Sequence, residues 1–384
     1  ANCFLLLSVI SVIITGLSLV MKNKLLVWFG ASPSIFPYAD DYITIYLLGT
    51  IFALLSIGMN QFIICQGFAK VAMKSVVLGA VVNIALDPVF IFACGMGVKG
   101  GALATVLSQM ASAGYVLLFL FGKKVPVPIT FGGYQWRIMK RVILLGLSPF
   151  LIIAFDNVLI IAMNASLQHF GGAEGDMLLT CNTIVQSFML MGTMPLGGIT
   201  GGTQTILGYN FGARRSDRVL AAQQYIVILS MAFTAVMFVI AQTVPHYFVQ
   251  IFTRDPEYVE LTVRAIRIFT LGIIPLAVQY EIVDGYTGMG IAPIAISLST
   301  VRKTLYLLGV VLIPMFFSVE AVFYTEPISD FLGTAVSITV YLMTMKKILR
   351  RRENGELYRI GLHGPDIFFY YFIFKNHVSG VGYR

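Results

Sequence analysis

Apolar runs of about 20 residues follow one another along this chain from its first residue to about Met345, broken by short polar links. Each run is long enough to cross a hydrocarbon core of about 30 Å as a helix. No strand-like alternation of apolar and polar positions intervenes, which argues against a barrel. The pattern predicts ten spans, at roughly 2–20, 43–64, 72–93, 101–121, 142–164, 178–200, 219–241, 265–286, 292–316 and 322–345. The predicted class is an all-α polytopic membrane protein.

Composition supports that class. Of 384 residues, 58% are hydrophobic and 11% charged, whereas a soluble domain carries about 25% charge. The net charge of +8 gives no sign of nucleic-acid binding, because Lys and Arg sit in the links rather than on one face. One side collects Lys70, Lys74, Lys123, Lys124, Arg137, Lys140, Arg141, Arg214, Arg215, Arg218, Lys346, Lys347, Arg350, Arg351 and Arg352. The other side has only Lys22, Lys24, Lys99 and Arg254. By the positive-inside rule the first set is cytoplasmic, as is the C-terminus. Cys3, Cys65, Cys94 and Cys181 stand singly in apolar stretches and read as small core residues. No residue set suggests a catalytic triad, nucleotide loop or resident cofactor. The start, without Met or a basic leader, reads as cut, and no signal peptide is expected. The aromatic run from Ile367 to Phe374 is too short to span and reads as an interfacial segment without assigned function.

The chain carries a weak internal repeat. A shift of 223 residues lays Phe29 on Phe252, Leu48 on Leu271, Gly49 on Gly272 and Gly67 on Gly290. Acidic segments (Asp40 and Asp41; Asp255 and Glu257) fall in the same place in each copy. Two residues of slippage later, Val98 meets Val319. An even number of spans separates the copies, so they share orientation, and parallel repeats imply a cavity between two bundles. The first copy lacks two leading helices relative to the second, which makes this ten of twelve. The expected organisation is a lobe over 1–124, a linker over 125–141, a second lobe over 142–350 and a tail over 351–384.

Ionisable groups inside spans are costly and mark function. Asp87 lies in NIALDPVF with Asn83 one turn earlier on the same helix face. Pro88 removes the donor that would have reached the carbonyl of residue 84. Asp, Asn and a freed carbonyl suit a hard cation or a titrating carboxyl, with a helix-packing hydrogen bond as the alternative. Asp156 and Asn157, with Gln186 and Gln204, are placed along a substrate cavity. Arg302 and Lys303 need counter-charges, and Glu326 and Asp330 on the last span are the expected supply. A salt bridge stapling the second lobe is the first reading of that group, substrate contact the second. Glu281 and Asp284 read as a wetted face near the cytoplasmic end. Pro149, Pro195, Gly197, Gly198, Gly201, Gly202 and Pro275 permit bends and close helix approach.

GGTQTILGYNFGARRSDRV, CQGFAKVAM, NIALDPVFIF and GMGVKGGALATVLSQ resemble motifs of the multidrug and toxic compound extrusion (MATE) family. The likeness runs from Ala1 to about Arg350, with the family's helices 1 and 2 absent. It implies a two-lobe transporter of the wider MOP superfamily, monomeric and set in the inner or plasma membrane. The implied activity is export of amphipathic, cationic compounds in exchange for Na⁺ or H⁺, with no other cofactor. It also implies a cation site in which Asn83 and Asp87 are joined by Thr105, so that Na⁺ would be held by Asn83, Asp87 and Thr105. The family's helix-1 Asp would precede Ala1. Glu326, where the family commonly has an apolar residue, and the tail depart from the pattern. A flippase for lipid-linked or polyanionic cargo, an intramembrane enzyme and an inactive fragment are the alternatives.

Overall fold

The structure is a computed structural model that describes residues 1–28, 36–122 and 125–355. Phe29, Lys123, Lys124 and the aromatic run at 367–374 lie outside the described residues. Among the described residues every regular element is a helix: α1 (Asn2–Trp28), α2 (Phe36–Cys65), α3 (Ala69–Pro88), α4 (Val98–Leu120), α5 (Trp136–Gly171), α6 (Gly175–Gly212), α7 (Ser216–Thr243), α8 (Pro245–Val249), α9 (Pro256–Phe269), α10 (Ile273–Gly288), α11 (Ala292–Phe316) and α12 (Thr325–Glu353). A π-helical turn, Val89–Ala93, continues α3. The 3₁₀ turn Thr270–Gly272 joins α9 to α10. Another, Val319–Tyr324, leads into α12.

Ten of these stretches are long and apolar enough to cross a membrane. Each overlaps one predicted span, and the differences are at the ends. The largest is in α6, which runs on to Gly212 although the predicted span ends at 200. A glycine inside a helix costs only about 1 kcal/mol. At Gly208 the missing side chain lets α6 meet α10, since a Cβ there would lie 2.6 Å from the Gly288 carbonyl oxygen. Large apolar side chains such as Val20, Phe92, Leu118 and Leu342 stand exposed, as expected of surface bathed in lipid. Of the four cysteines expected in the core, only Cys181 is buried, while Cys65 and Cys94 are exposed. Both sit where spans end, and an apolar environment outside the protein tolerates them as well as a core would.

The chain forms two compact units, Ala1–Leu144 and Leu145–Arg384. In the first, α2 packs against α1 and α4, and α4 against α3. Its core gathers Leu55, Met59, Ile63, Ala72, Val116 and Leu120. A polar seam ties three helices: the Ser56 and Ser112 hydroxyls are 2.8 Å apart, Ser112 donates to the Ser75 carbonyl, and Ser75 donates to Asn60 Oδ1 at 3.2 Å. In the second unit two cores form, one around Phe188, Ile266, Phe269 and Phe323, the other around Leu207, Tyr286 and Leu298.

The repeat is built into the backbone. Spans Ala69–Ala93 and Ala292–Phe316 are both 25 residues long, and both of their ends are separated by the same 223 residues. The turn before each is the same. Gly67 (φ +88°) and Gly290 (φ +76°) occupy the left-handed region that favours glycine. Gly67 N–H bonds the Ile64 carbonyl and Phe68 N–H that of Ile63, as Gly290 N–H bonds Thr287 and Ile291 N–H bonds Tyr286. Packing repeats as well. Gly49 makes room for Val106 of α4, and its partner Gly272 makes room for Pro327 of α12, whose Cα would lie 2.9 Å from a Cβ there. Even an ion pair recurs with its polarity reversed: Asp41–Lys99 at 3.2 Å in one unit, Arg264–Glu320 at 3.4 Å in the other.

Candidate functional site

In the first unit Asn83 and Asp87 stand one turn apart near the end of α3, both half-buried. Pro88 follows, and the chain then opens into the π-helical turn, closed by the Cys94 N–H on the Val89 carbonyl at 2.8 Å. Such turns frequently sit at functional sites. The start of α4 presses on that turn: a Cβ at Gly100 would lie 2.6 Å from the Phe90 carbonyl carbon. Thr105 lies one turn further on and spends its hydroxyl proton on the Gly101 carbonyl at 2.9 Å. Its oxygen lone pairs remain for another partner.

Asn83 Nδ2 is buried without a hydrogen-bond partner, and so is Oε1 of Gln109 on α4. Among the described residues no hydrogen bond or ion pair reaches Asp87. The structure therefore brings the two helices together without bonding Asn83, Asp87 and Thr105 to one another. Gln109 was not among the predicted residues. Its signal was available, since it stands four residues after Thr105 on the same face of one helix.

The second unit is more highly charged. Arg302 Nη1 on α11 lies 3.1 Å from Asp330 Oδ1 and 3.5 Å from Glu326 Oε1 on α12. All three side chains are nearly buried, and Asp330 is wholly so. Asp330 Oδ2 has no hydrogen-bond partner. The expectation that Glu326 and Asp330 would also serve Lys303 is corrected. Lys303 binds Asp156 Oδ1 of α5 at 2.7 Å and donates to the Ile152 carbonyl. Consecutive residues point about 100° apart on a helix, so Arg302 and Lys303 cannot both face α12.

That pairing changes the reading of Asp156, whose side chain is 49% exposed while that of Lys303 is 3% exposed. Asn157 points elsewhere, donating to the Ile153 carbonyl of its own helix from an exposed position. Gln186 is half-buried on α6. Gln204 is committed to Asp284, donating to Oδ1 at 2.9 Å. The Thr200 hydroxyl donates to Asp284 Oδ2 at 2.6 Å.

The wetted face expected at Glu281 and Asp284 is also corrected: Glu281 is 2% exposed. The cause is the close approach of α6 and α10, where a Cβ at Gly288 would lie 2.7 Å from the Gln204 carbonyl oxygen. Hydropathy alone could not reveal it. Glu281 Oε1 and Gln223 Nε2 flank Gly285, both buried. Gln223 Oε1 accepts from the Tyr341 hydroxyl at 2.9 Å, and the Tyr286 and Thr344 hydroxyls meet at 2.7 Å. This polar seam joins α6, α7, α10 and α12.

Among the described residues, ten membrane-length helices in two repeat-related units, with carboxylates, amides and cations held inside the spans, define a polytopic helical membrane protein. The chain belongs to the MatE family, whose model matches residues 1–89 and 153–315. It is 26% identical over 346 residues to Protein DETOXIFICATION 43 of Arabidopsis thaliana, covering 88% of this chain and 61% of that protein. The multidrug export protein MepA of Staphylococcus aureus is 22% identical over 316 residues, covering 82% of this chain and 68% of MepA. The chain thus spans about three fifths of the Arabidopsis relative. Among solved structures, the outward-facing conformation of a multidrug resistance MATE family transporter of the MOP superfamily matches with a TM-score of 0.85 at 20% identity, covering 90% of this chain and 78% of that one. A MOP superfamily transporter from Pyrococcus furiosus, described as having a binding pocket of reverse polarity, matches with a TM-score of 0.84 at 21% identity over the same shares. These two matches establish the shared fold.

Proposed function

We propose that the protein of which this chain is part is a cation-coupled antiporter that exports amphipathic, cationic compounds by alternating access of its two lobes. The coupling ion is Na⁺ or H⁺, the working form a monomer, and the C-terminus lies on the cytoplasmic side, where the basic links collect. One observation carries the reading. Asp87 lies in a membrane-length helix with no cationic partner among the described residues, one turn from an amide whose Nδ2 is also unpartnered.

A carboxylate in that setting is costly unless water, a proton or a cation reaches it. Asn83, Asp87 and Thr105 offer the oxygen donors a hard monovalent cation prefers. Export follows if cation and cargo favour different states of the transporter. Each 10-fold difference in affinity between the two states corresponds to about 1.4 kcal/mol of coupling. Asp156 is half exposed but already holds Lys303 through Oδ1, so a cationic cargo would meet it only from its open side. The likeness to MepA, a multidrug export protein, supports drug export as the activity. Arg302 and Lys303 are both paired with carboxylates, which counts against polyanionic cargo at these residues.

The test is efflux of a fluorescent cationic dye from cells producing the full-length protein. Asp87→Asn and Asn83→Ala should each lower efflux by about 10-fold or more and abolish its dependence on the ion gradient. Efflux that keeps its rate and its ion dependence in both variants refutes the assignment.

A further inference from the structure

The repeat register places particular residues of the two units in equivalent positions. Arg302 of α11 corresponds to Gly79 of α3 by the 223-residue shift. Glu326 and Asp330 of α12 correspond to Thr105 and Gln109 of α4 once the two-residue slippage after the helix turn is included. Packing confirms that register. In the first unit Gly79 faces Ser112, whose Cβ would lie 3.3 Å from a Cβ on the glycine. In the second unit the glycine has changed sides: Gly333 stands where Ser112 does, and Arg302 Cγ would lie 2.8 Å from its Cβ. The notch at Gly333 lets the stem of Arg302 lie along α12 and carry its guanidinium to Glu326 and Asp330.

The same pair of helices therefore carries a polar site in each unit, with different chemistry. In the first, neutral Thr105 and Gln109 share the helical face of Ser112, which meets α3, and Gln109 Oε1 is buried and unpartnered. In the second, both residues are carboxylates and a cationic side chain is bound between them. The neighbouring Lys303 is engaged directly by Asp156 and makes no ion pair with Glu326 or Asp330.

We infer that Arg302 is a tethered cation, occupying in the second unit a carboxylate-lined site that would otherwise bind a free organic or inorganic cation. Two carboxylates on one turn of α12, buried against apolar helices, repel one another and have lost their water. A guanidinium fixed in the chain offsets their charge without a solution ion, although Asp330 Oδ2 keeps no hydrogen-bond partner. The second unit's site is then permanently occupied and closed to ions from solution. The inference rests on the register and the geometry of the triad, and it does not require Asp87 to couple transport. Its test therefore reads occupancy of the second unit and not efflux.

The experiment compares thermal unfolding of the full-length protein in detergent with and without methylguanidinium. Arg302→Ala should unfold at a lower temperature than the parent. Methylguanidinium at about 20 mM, far below denaturing concentrations, should restore about 3 °C or more. Tetramethylammonium at the same concentration, too large and without N–H donors, should not. Neither the parent nor Arg302→Ala/Glu326→Gln/Asp330→Asn should respond. Absence of a selective rise, or an equal rise in the triple variant, overturns the inference. Should Arg302→Ala fail to fold, Arg302→Met/Glu326→Gln/Asp330→Asn decides. Recovery of folded protein in that charge-free variant upholds the tethered cation. Continued failure assigns Arg302 a packing role only and overturns it.

Discussion

Replacing Lys303 with methionine removes an ammonium that is 3% exposed and that holds Asp156 Oδ1 at 2.7 Å together with the Ile152 carbonyl. Methionine keeps most of the stem's volume, so the change isolates the charge. Its effect follows from the unequal exposure of the partners. Once Lys303 is gone, Asp156 remains 49% exposed and can be hydrated from its open side, so the loss is about 1–2 kcal/mol. The converse change, Asp156→Asn, strands a buried ammonium on one backbone carbonyl and an amide oxygen, and costs about 3–5 kcal/mol. Removing both charges in Lys303→Met/Asp156→Asn should recover most of the loss. The predicted order of stability is therefore the double variant above Lys303→Met, and Lys303→Met above Asp156→Asn. At about 2 °C per kcal/mol for a unit of this size, thermal unfolding in detergent should resolve falls of roughly 2–4 °C and 6–10 °C. The reasoning is refuted if Lys303→Met falls as far as Asp156→Asn, or if the double variant is less stable than either single one.

Two further outcomes concern the first unit. Gly100→Ala places a Cβ 2.6 Å from one backbone atom of the π-helical turn and 2.7 Å from another, neither of which can rotate away. A loss of about 2–4 kcal/mol should appear as a lower unfolding temperature. Gly101→Ala, which meets only the end of Ile91 at 3.6 Å, should be near neutral. If the two alanines behave alike, the close contact is not what holds the turn. The reversed ion pairs predict that Asp41→Arg is rescued by Lys99→Glu, since the second unit already uses that polarity. Both pairs are substantially exposed, so the rescue should stay below about 1 kcal/mol and fade at high salt. A larger, salt-independent effect would contradict the surface reading.

Asp87 and the second unit's charges differ in how each is satisfied. Among the described residues Asp87 has neither a hydrogen bond nor an ion pair, and the amide one turn away is unpartnered as well. Glu326 and Asp330 are answered from within the fold, because the glycine that faces Ser112 on α3 has moved to α12 and left room for an arginine. The same backbone thus holds an open polar site in one copy of the repeat and a closed ionic one in the other.

Hydropathy alone determined the number, order and approximate bounds of the spans, because crossing hydrocarbon is a local demand on about 20 consecutive residues. The glycines of the repeat were legible too. Gly67 and Gly290 mark turns whose positive φ is set by local backbone sterics, and their spacing announced the two copies. The intramembrane position of Asp87, Asn83, Arg302, Glu326 and Asp330 could be read in the same way. Which of them meet was decided by tertiary packing. Lys303 goes to Asp156, far away along the chain, because its neighbour already faces α12. Glu281 is buried because α6 and α10 approach at Gly208 and Gly288. Thr200 and Gln204 become partners of one carboxylate at the same contact. Partner choice depends on the azimuth of each helix and on how closely two backbones approach, and neither quantity is encoded in a hydropathy profile.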